Sequence, residues 1–364
     1  MQAHRALGDT MSPSDDLGAG ARGRRAAAWL VGLTLALVAT MVLAVGIGAV
    51  TVPATTTSQI IGHHLFGLGE MTWSPARDGI IWDVRAPRVL LGAAVGAGLA
   101  VSGIALQAMV RNVLADPYLL GVSSGASSGA AAAILFGAGA GLGQHALPAS
   151  AFAGALLASL LVLVVARSGG RVTSIRLLLA GVAVGYALYA LTSFLIFAAD
   201  SAEGSRSVLF WLLGSLGLAS WSAPLLICLV VVLGTVLALT HVGRRLDALA
   251  IGDETAQTLG LSPDTLRVRL LVLVSLCIGV VVAAAGSIGF VGLVVPHLAR
   301  RAVGSSHRVA VPAAALMGAV LLVWADVVAR TLLQPQEIPI GILTSLVGAP
   351  FLLVLIRRMH LSSS

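Results

Sequence analysis

The sequence predicts an all-α, polytopic membrane protein with ten transmembrane helices and with both termini in the cytoplasm. Three observations predict it. Hydrophobic residues make up 58% of the 364 residues and charged residues only 10%, where about 25% is ordinary for a soluble domain. The apolar residues fall into ten runs of roughly membrane-spanning length. Arginine is concentrated in alternate connections between these runs, and this asymmetry gives the orientation.

The ten apolar runs follow a polar segment, residues 1–25, which we interpret as a cytoplasmic N-terminal tail. A signal peptide would have a shorter apolar core, of about 7–15 residues, so the first run is interpreted as a retained helix. The runs cover residues 26–52, 88–110, 122–142, 149–166, 177–199, 224–241, 268–285, 288–302, 311–332 and 339–356. They form one transmembrane domain, 26–358, and residues 359–364 form a C-terminal tail.

The distribution of arginine places the N-terminus inside. With that orientation, the inner segments hold 17 of the 22 basic residues, as expected because loops that stay in the cytoplasm carry the excess. The outer connections hold the other five, which are Arg77, Arg85, Arg88, Arg206 and Arg330. The longest outer connection is 53–84 and the longest inner one is 242–267. This placement explains the net charge of +7 without a nucleic-acid partner.

The chain contains no Lys, because all 22 basic residues are Arg. A phosphate-binding loop of the G-x-x-x-x-G-K-[ST] kind needs that Lys, so the chain does not bind ATP through a Walker motif of its own. Cys228 and Cys277 stand alone within apolar runs and support neither a disulfide framework nor a zinc site. The sequence also lacks an HExxH motif and a nucleophile–base constellation, which excludes a membrane enzyme. We predict no cofactor and no metal site.

Asp326 is an acidic residue well inside a predicted span, where an unpaired carboxylate is costly. Arg330 lies four residues further along the same helix face, so we expect an ion pair rather than proton coupling. An ion-coupled secondary transporter would place unpaired acidic residues at mid-membrane, and this class stays open as the alternative. His63 and His64 in the outer connection have no assigned role. The stretch 208–218 is too short to span and is interpreted as a short helix at the outer surface.

Three long stretches of the sequence contain motifs that are typical of one family. They are RAPRVLLGAAVGAGLAVSGIALQAMVRNVLADPYLLGVSSGA (85–126), LAIGDETAQTLGL (249–261), and GSIGFVGLVVPHLARRAVGSSHR (286–308) followed by ADVVAR (325–330) and EIPIGILTSLVGAPF (337–351). In order and spacing they resemble the permease subunits of ATP-binding-cassette (ABC) importers for iron–siderophore complexes, haem and cobalamin, the FecCD type. The resemblance runs from about Ala26 to the C-terminus.

The resemblance implies an architecture and a set of partners. A ten-helix protomer would pair with a second permease chain, identical or a sister, around a central pathway in the plasma membrane of a bacterium. Two ABC ATPase subunits would dock on the inner face, and an extracytoplasmic substrate-binding protein on the outer face. Membrane lipid would surround the dimer. The implied cargo is a ferric siderophore, with cobalamin and haem as alternatives, because small and apolar lining groups do not distinguish one bulky chelate from another.

In this family, part of the longest inner loop fits into a groove on the ATPase. The matching segment here is LAIGDETAQTLGL, within the connection 242–267. Two glycines bracket its polar part and supply the turns that pin both ends of a short helix. The predicted ATPase-coupling residues are Gly252, Asp253, Glu254, Gln257 and Gly260.

Two further inner loops of the family close the cytoplasmic end of the pathway, and they match RNVLADP (111–117) and RVTSIR (171–176). The predicted gate residues in these loops are Asn112, Leu114, Thr173 and Ser174. Helix capping is the competing explanation for Asn112 and Thr173.

Three of the outer arginines, Arg85, Arg88 and Arg330, match positions that receive acidic residues of the binding protein in related permeases. The planar guanidinium suits bidentate pairing with a carboxylate. The competing explanation is that these side chains reach to lipid phosphates at the membrane interface. We predict that they form the docking site for the substrate-binding protein.

Overall fold

The computed structural model describes residues 19–48, 50–167, 170 and 172–361. The predicted tails up to residue 18 and from residue 362 onward lie outside the described residues, and so does Arg171 of one predicted gate loop. Across the described residues the chain is helical and has no β-strand. The predicted all-α fold class is therefore confirmed.

Fifteen α-helices follow one another along the described chain. They are α1 (Ala19–Gly46), α2 (Ala54–Phe66), α3 (Pro75–Asp78), α4 (Ala86–Val110), α5 (Val122–Phe136), α6 (Ala146–Arg167), α7 (Ser174–Phe197), α8 (Ala202–Leu212), α9 (Ala223–His241), α10 (Gly243–Ile251), α11 (Asp253–Thr258), α12 (Pro263–Ala285), α13 (Val291–Val303), α14 (His307–Thr331) and α15 (Ile340–Leu361). A π-helical segment, Gly79–Arg85, joins α3 to α4, and two short 3-10 helices cover Pro117–Leu120 and Ala140–His145.

Each predicted apolar run coincides with one helix of the structure. By length and composition, seven helical stretches of the described chain could cross a membrane, and they contain α1, α4, α6, α7, α9, α12 and α14. The other three runs correspond to α5, α13 and α15; α5 has only 15 residues and α13 only 13. The structure thus supports a multi-pass membrane protein, while the number of ten spans and the cytoplasmic termini stay predictions.

Some predicted boundaries need correction. α1 begins at Ala19, seven residues before the predicted start of the first span. α5 ends at Phe136 rather than at residue 142, because Gly137 and Gly139 adopt left-handed φ angles of 69° and 77° that end the helix. The short helix predicted at 208–218 exists, but as α8 it begins and ends about six residues earlier.

The two longest predicted connections are themselves structured. The outer connection 53–84 contains α2, α3 and most of the π-helical segment, and the inner connection 242–267 contains α10, α11 and the start of α12. We keep the predicted orientation to name the two faces. The C-termini of α1 and α14 and the N-terminus of α4 then lie at the outer face, and the C-terminus of α4 and the N-termini of α7 and α12 at the inner face.

α4 is the central helix of the bundle, with most of its side chains buried, and it packs against α9, α12, α13 and α14. Glycine makes these contacts close: a Cβ at Gly96 would overlap the carbonyl oxygen of Gly318 in α14, and a Cβ at Gly103 would overlap that of Gly292 in α13. Small residues of this kind let helix backbones approach within a bilayer, where packing replaces the hydrophobic effect.

Two spans are broken near the middle of the bundle. Gly292, at the start of α13, lies against Leu99 and Pro117, and Leu99 is near the midpoint of α4. The chain after α4 therefore runs back into the bundle, and α5 begins only at mid-depth. Likewise α13 begins at mid-depth, after an irregular segment that follows α12. The loop 111–117, predicted to lie at the inner surface, is exposed only at its beginning, and Pro117 is buried.

The close approach of α4 and α13 predicts a selective effect of adding one methyl group. Gly103→Ala should destabilise the chain by about 1–3 kcal/mol, because the backbone of α13 must move to admit the new Cβ. The measurement is the free energy of unfolding of the purified protein in mixed micelles. Gly234→Ala in α9 is the matched control, since its Cβ would meet open space. Equal stabilities of the two variants would contradict the packing described here.

Candidate functional site

The outer end of the bundle contains a buried cluster of charges, which we call the outer charge cluster: Arg85, Arg88, Asp326, Arg330 and Glu337. Arg88 is its centre. Its Nε and Nη2 atoms donate to the Asp326 carboxylate at 2.9 and 2.8 Å, and its Nη1 and Nη2 atoms donate to Glu337 at 3.0 and 2.9 Å. The predicted pairing of Asp326 with Arg330 is confirmed, at 3.5 Å from Nε to Oδ2. It is the weaker of the two pairings that Asp326 makes.

The other two arginines of the outer charge cluster hold the end of α1. Arg85 donates to the carbonyl oxygens of Val45 and Gly46 at 3.2 and 2.9 Å, and Arg330 donates to that of Ala44 at 2.6 Å. The last carbonyls of a helix have no partner within it, and α1 has no basic residue of its own in its last turn. Guanidinium groups from α14 and from the segment before α4 therefore cap α1, and their positive charge interacts favourably with the negative end of the α1 dipole.

The burial of these arginines bears on the docking prediction. Arg85, Arg88 and Arg330 are only 5%, 8% and 6% exposed, so their guanidinium groups are held largely by acceptors within the chain. Burial and pairing go together here, since a buried guanidinium needs compensating acceptors. Glu337, whose side chain is half-exposed, is the part of the cluster that meets solvent. Docking at this site stays a prediction.

At the inner face, the predicted coupling segment forms a short helix of its own. α11 is bracketed by Gly252, with φ 158°, and Gly260, with φ 74°, as the sequence predicted. Glu254 and Gln257 are exposed on it. Asp253 is different, because its carboxylate points inward and binds Arg267. Of the predicted coupling side chains, two are exposed, and the third, Asp253, is one-third exposed and paired with a buried arginine.

Three of the predicted gate residues make side-chain hydrogen bonds, which are local for Asn112 and Thr173 and reach another helix for Ser174. Asn112 Oδ1 accepts from the backbone N–H of Leu114 at 2.9 Å, and Thr173 Oγ1 accepts from that of Arg176 at 3.4 Å, which caps α7. Ser174 Oγ donates to the carbonyl oxygen of Met109, at the end of α4, at 3.0 Å. Capping, the competing explanation, is thus observed for Thr173. It is not observed for Asn112, whose hydrogen bond lies within the loop between α4 and the 3-10 helix Pro117–Leu120. Gating by these residues stays a prediction.

One inner cavity brings the two gate loops and the coupling segment together. It has a volume of about 880 Å³. Its walls include the predicted gate residues Asn112, Thr173 and Ser174, together with Asp253 of α11. Leu114 is not among its lining residues. Residues that the sequence separates by more than 140 positions therefore share one space at the inner face.

Arg267 is the residue at this site that sequence reasoning missed, because it counted only as one of many inner arginines. It lies in the second turn of α12 and is 0% exposed. Its guanidinium binds Asp253 through two hydrogen bonds of 2.6 and 3.0 Å. It also donates to Ser174 Oγ at 3.0 Å and to the carbonyl oxygens of Met109 and Val172 at 3.2 and 3.3 Å. Asp264 and Arg269 flank it on the same helix, so no pattern in the sequence distinguishes Arg267 from its charged neighbours.

The two broken spans are joined to each other at mid-depth. Tyr118 Oη donates to the carbonyl oxygen of Ile288 at 3.0 Å and accepts from its N–H at 2.8 Å. The hydroxyls of Ser123 and Ser287 are 2.7 Å apart. Non-helical backbone at membrane depth is tolerated where it is buried in protein and its polar groups are paired. These contacts meet that requirement for both breaks.

The two histidines left without a role belong to an aromatic cluster at the outer face. His64 Nε2 lies 3.0 Å from Asp78 Oδ2, and the His64 ring stacks on Trp82 at 4.2 Å between centroids. Trp73 Nε1 donates to the same aspartate at 2.7 Å, and the indole of Trp221 donates to the carbonyl oxygen of Trp82 at 2.7 Å. This cluster ties α2 to the segment before α4. Among the described residues, no group of three metal-ligating side chains is found.

The described chain is thus a helical bundle with two broken spans, with buried ion pairs at the outer face and with a short surface helix beside a cavity at the inner face. The profile of the FecCD transport family matches residues 30–358. The chain belongs to this family and is a permease subunit of an ABC importer. It is a transport component that works with ATPase and substrate-binding partners, and the ATPase is a separate subunit.

Individual relatives agree with this assignment. The chain is 45% identical over 278 residues to the cobalamin import system permease protein BtuC of Halobacterium salinarum. The matched region covers 76% of this chain and 73% of that protein. It is 41% identical over 295 residues to the hemin transport system permease protein HmuU of Yersinia pestis, over 79% of this chain and 87% of that one. A solved inward-facing structure, assigned to the metal-chelate type of ABC transporter, matches with a TM-score of 0.78 and 35% identity over 90% of this chain and 98% of that chain.

The outer charge cluster predicts unequal effects of removing its two carboxylates. Asp326→Ala should destabilise the chain by about 3–5 kcal/mol, because it leaves the buried guanidinium of Arg88 without its main partner. Glu337→Ala is the control, because this carboxylate is half-exposed. Screening by water should keep the loss of unfolding free energy in this variant below about 1 kcal/mol. The free energy of unfolding in mixed micelles measures both. Similar losses for the two variants would contradict the central place given to Asp326.

Proposed function

We propose that this chain forms half of the pathway of an ATP-driven importer that moves a bulky, ready-made metal chelate inward through the plasma membrane of a bacterium. The observation that carries the proposal is the inner cavity, which places both predicted gate loops beside the predicted coupling segment. A gate that is driven by a separate ATPase needs such proximity, because the movement of the docked segment must reach the gate.

The cargo we propose is a ferric siderophore, as the family resemblance implies. Cobalamin and haem are the alternative cargoes. Both stay open because one relative is a cobalamin permease and another is a hemin permease. All three are metal chelates too large for a narrow pore. A cleft between the end of α8 and α15 is lined by small residues, such as Gly289 and Ser345, and by large apolar ones, such as Leu213 and Leu346. These groups offer few specific contacts, which suits a pathway for bulky cargo.

The competing class, an ion-coupled secondary transporter, has less support. Such a protein needs a carboxylate that changes its protonation or binds an ion within the membrane. Asp326, the acidic residue on which that reading depends, is held by Arg88 and Arg330 in the structure. An acid with two cationic partners is a poor proton carrier.

The cargo can be decided by uptake into proteoliposomes that contain the permease, its ATPase and its binding protein. The panel is a radiolabelled ferric siderophore, cobalamin and haem, each with ATP, with a non-hydrolysed ATP analogue, and with an imposed proton or sodium gradient alone. We expect saturable uptake of the siderophore that requires ATP hydrolysis. ATP-driven uptake of another chelate would correct the cargo and keep the class. Uptake driven by an ion gradient without ATP would contradict the proposed function.

Docking of the ATPase on α11 predicts a specific defect. Glu254→Arg reverses a charge on an exposed side chain, so it should leave the fold intact and yet weaken the hold on the ATPase and reduce uptake at least tenfold. Close charge pairs at interfaces couple by roughly 1.5–7 kcal/mol. Glu203→Arg, on exposed α8 at the outer face, is the matched control and should behave as wild type. Co-purification of the ATPase at wild-type yield with the Glu254→Arg variant, together with unchanged uptake, would rule out this role.

A further inference from the structure

Arg267 has every hydrogen-bond donor of its side chain occupied. A guanidinium has five N–H groups in a fixed plane, and the structure gives Arg267 five hydrogen bonds. The side chain is 0% exposed. A side chain held in this way cannot move independently of its partners, so Arg267 and the residues that it binds are expected to move together.

The partners of Arg267 belong to three segments at the inner end of the bundle, which are the end of α4, the start of α7, and α11. Met109 is in the last turn of α4, immediately before the gate loop that contains Asn112. Val172 and Ser174 lie at the start of α7, on either side of Thr173. Asp253 is the first residue of α11. One side chain thus contacts the predicted coupling helix, the predicted gate loop 171–176, and the end of α4, the helix that leads into the other predicted gate loop.

The bond to Asp253 differs from the others in strength and geometry. It is a bidentate, charge-assisted pair, with both terminal nitrogens facing both carboxylate oxygens. Two parallel hydrogen bonds fix an orientation as well as a distance, which a single bond does not. The Asp253 side chain is one-third exposed, so the pair lies at the boundary between the protein interior and the face on which α11 sits.

We propose that Arg267 is a positioning residue that links the coupling helix α11 to both gate loops, so that a displacement of α11 moves the two gates together. This inference rests on the proposed function. It adds that the movement of α11 is transmitted through the ion pair Arg267–Asp253 rather than through the general packing of the inner face. Arg267 contacts no cargo in this arrangement and acts only through the segments it holds.

The test compares uptake per ATP hydrolysed in the reconstituted complex. Arg267→Gln should still bind the ATPase and hydrolyse ATP, while chelate uptake per ATP falls at least tenfold. Asp253→Asn should lower the same ratio of uptake to hydrolysis at least tenfold. The double variant should be no worse than either single variant, because both remove the same link. Arg269→Gln, two residues on and exposed on the same helix, is the matched control and should keep the wild-type ratio. Arg267→Lys should recover little, because Lys lacks the planar fork.

Each outcome bears on the inference. A wild-type ratio of uptake to hydrolysis in Asp253→Asn, which keeps the shape of the side chain at the partly exposed end, would overturn it even if Arg267→Gln did not assemble. A parallel fall of uptake, hydrolysis and thermal midpoint in both single variants would show a structural role only and would also overturn it. Failure of the wild-type complex to take up any chelate with ATP is a different result, and it would overturn the proposed function itself.

Discussion

The structure depends on one constraint, which is that a charge inside a membrane bundle must have its partners within the protein. Only 10% of the residues are charged, and those that are buried lie at the two ends of the bundle. At the outer end Arg88 meets Asp326 and Glu337, and at the inner end Arg267 meets Asp253. Leaving such a guanidinium unpaired would cost several kcal/mol. These pairs therefore specify which helix ends lie together.

Packing and chain breaks follow from the same constraint. Close glycine contacts allow α4 to lie at the centre among neighbouring helices, which leaves little space for water around buried polar groups. Where the chain leaves the helical path, between α4 and α5 and between α12 and α13, Tyr118 and Ser123 bind the backbone and side chain of the facing break. Irregular backbone at mid-depth is a feature of transport proteins, because it can line a pathway that a continuous helix would close.

The sequence predicted the helices well and the long-range pairs poorly. Apolar runs locate helices because the bilayer requires about 20 apolar residues per span, and the glycines that bracket α11 were read correctly as turns. The pair of Asp326 with Arg330 was predicted because it is local, four residues apart. The stronger pair with Arg88 joins residues 238 positions apart, and no periodicity or spacing reveals such a contact. The same limit hid the contacts of Arg267, and it hid the bonds by which Arg85 and Arg330 hold the end of α1.

The central claim is that the coupling helix and the gate loops move as one body. Spin labels at Ile175→Cys and Leu259→Cys, which are 67% and 65% exposed, would test it most directly, since the native Cys228 and Cys277 are buried. The distance is measured by pulsed electron spin resonance, with labelled chains diluted into unlabelled ones. The account predicts the same distance with and without bound ATP in the wild-type background, and a distance that changes with ATP in Arg267→Gln. An ATP-dependent change in the wild-type background, equal to that in the variant, would contradict it.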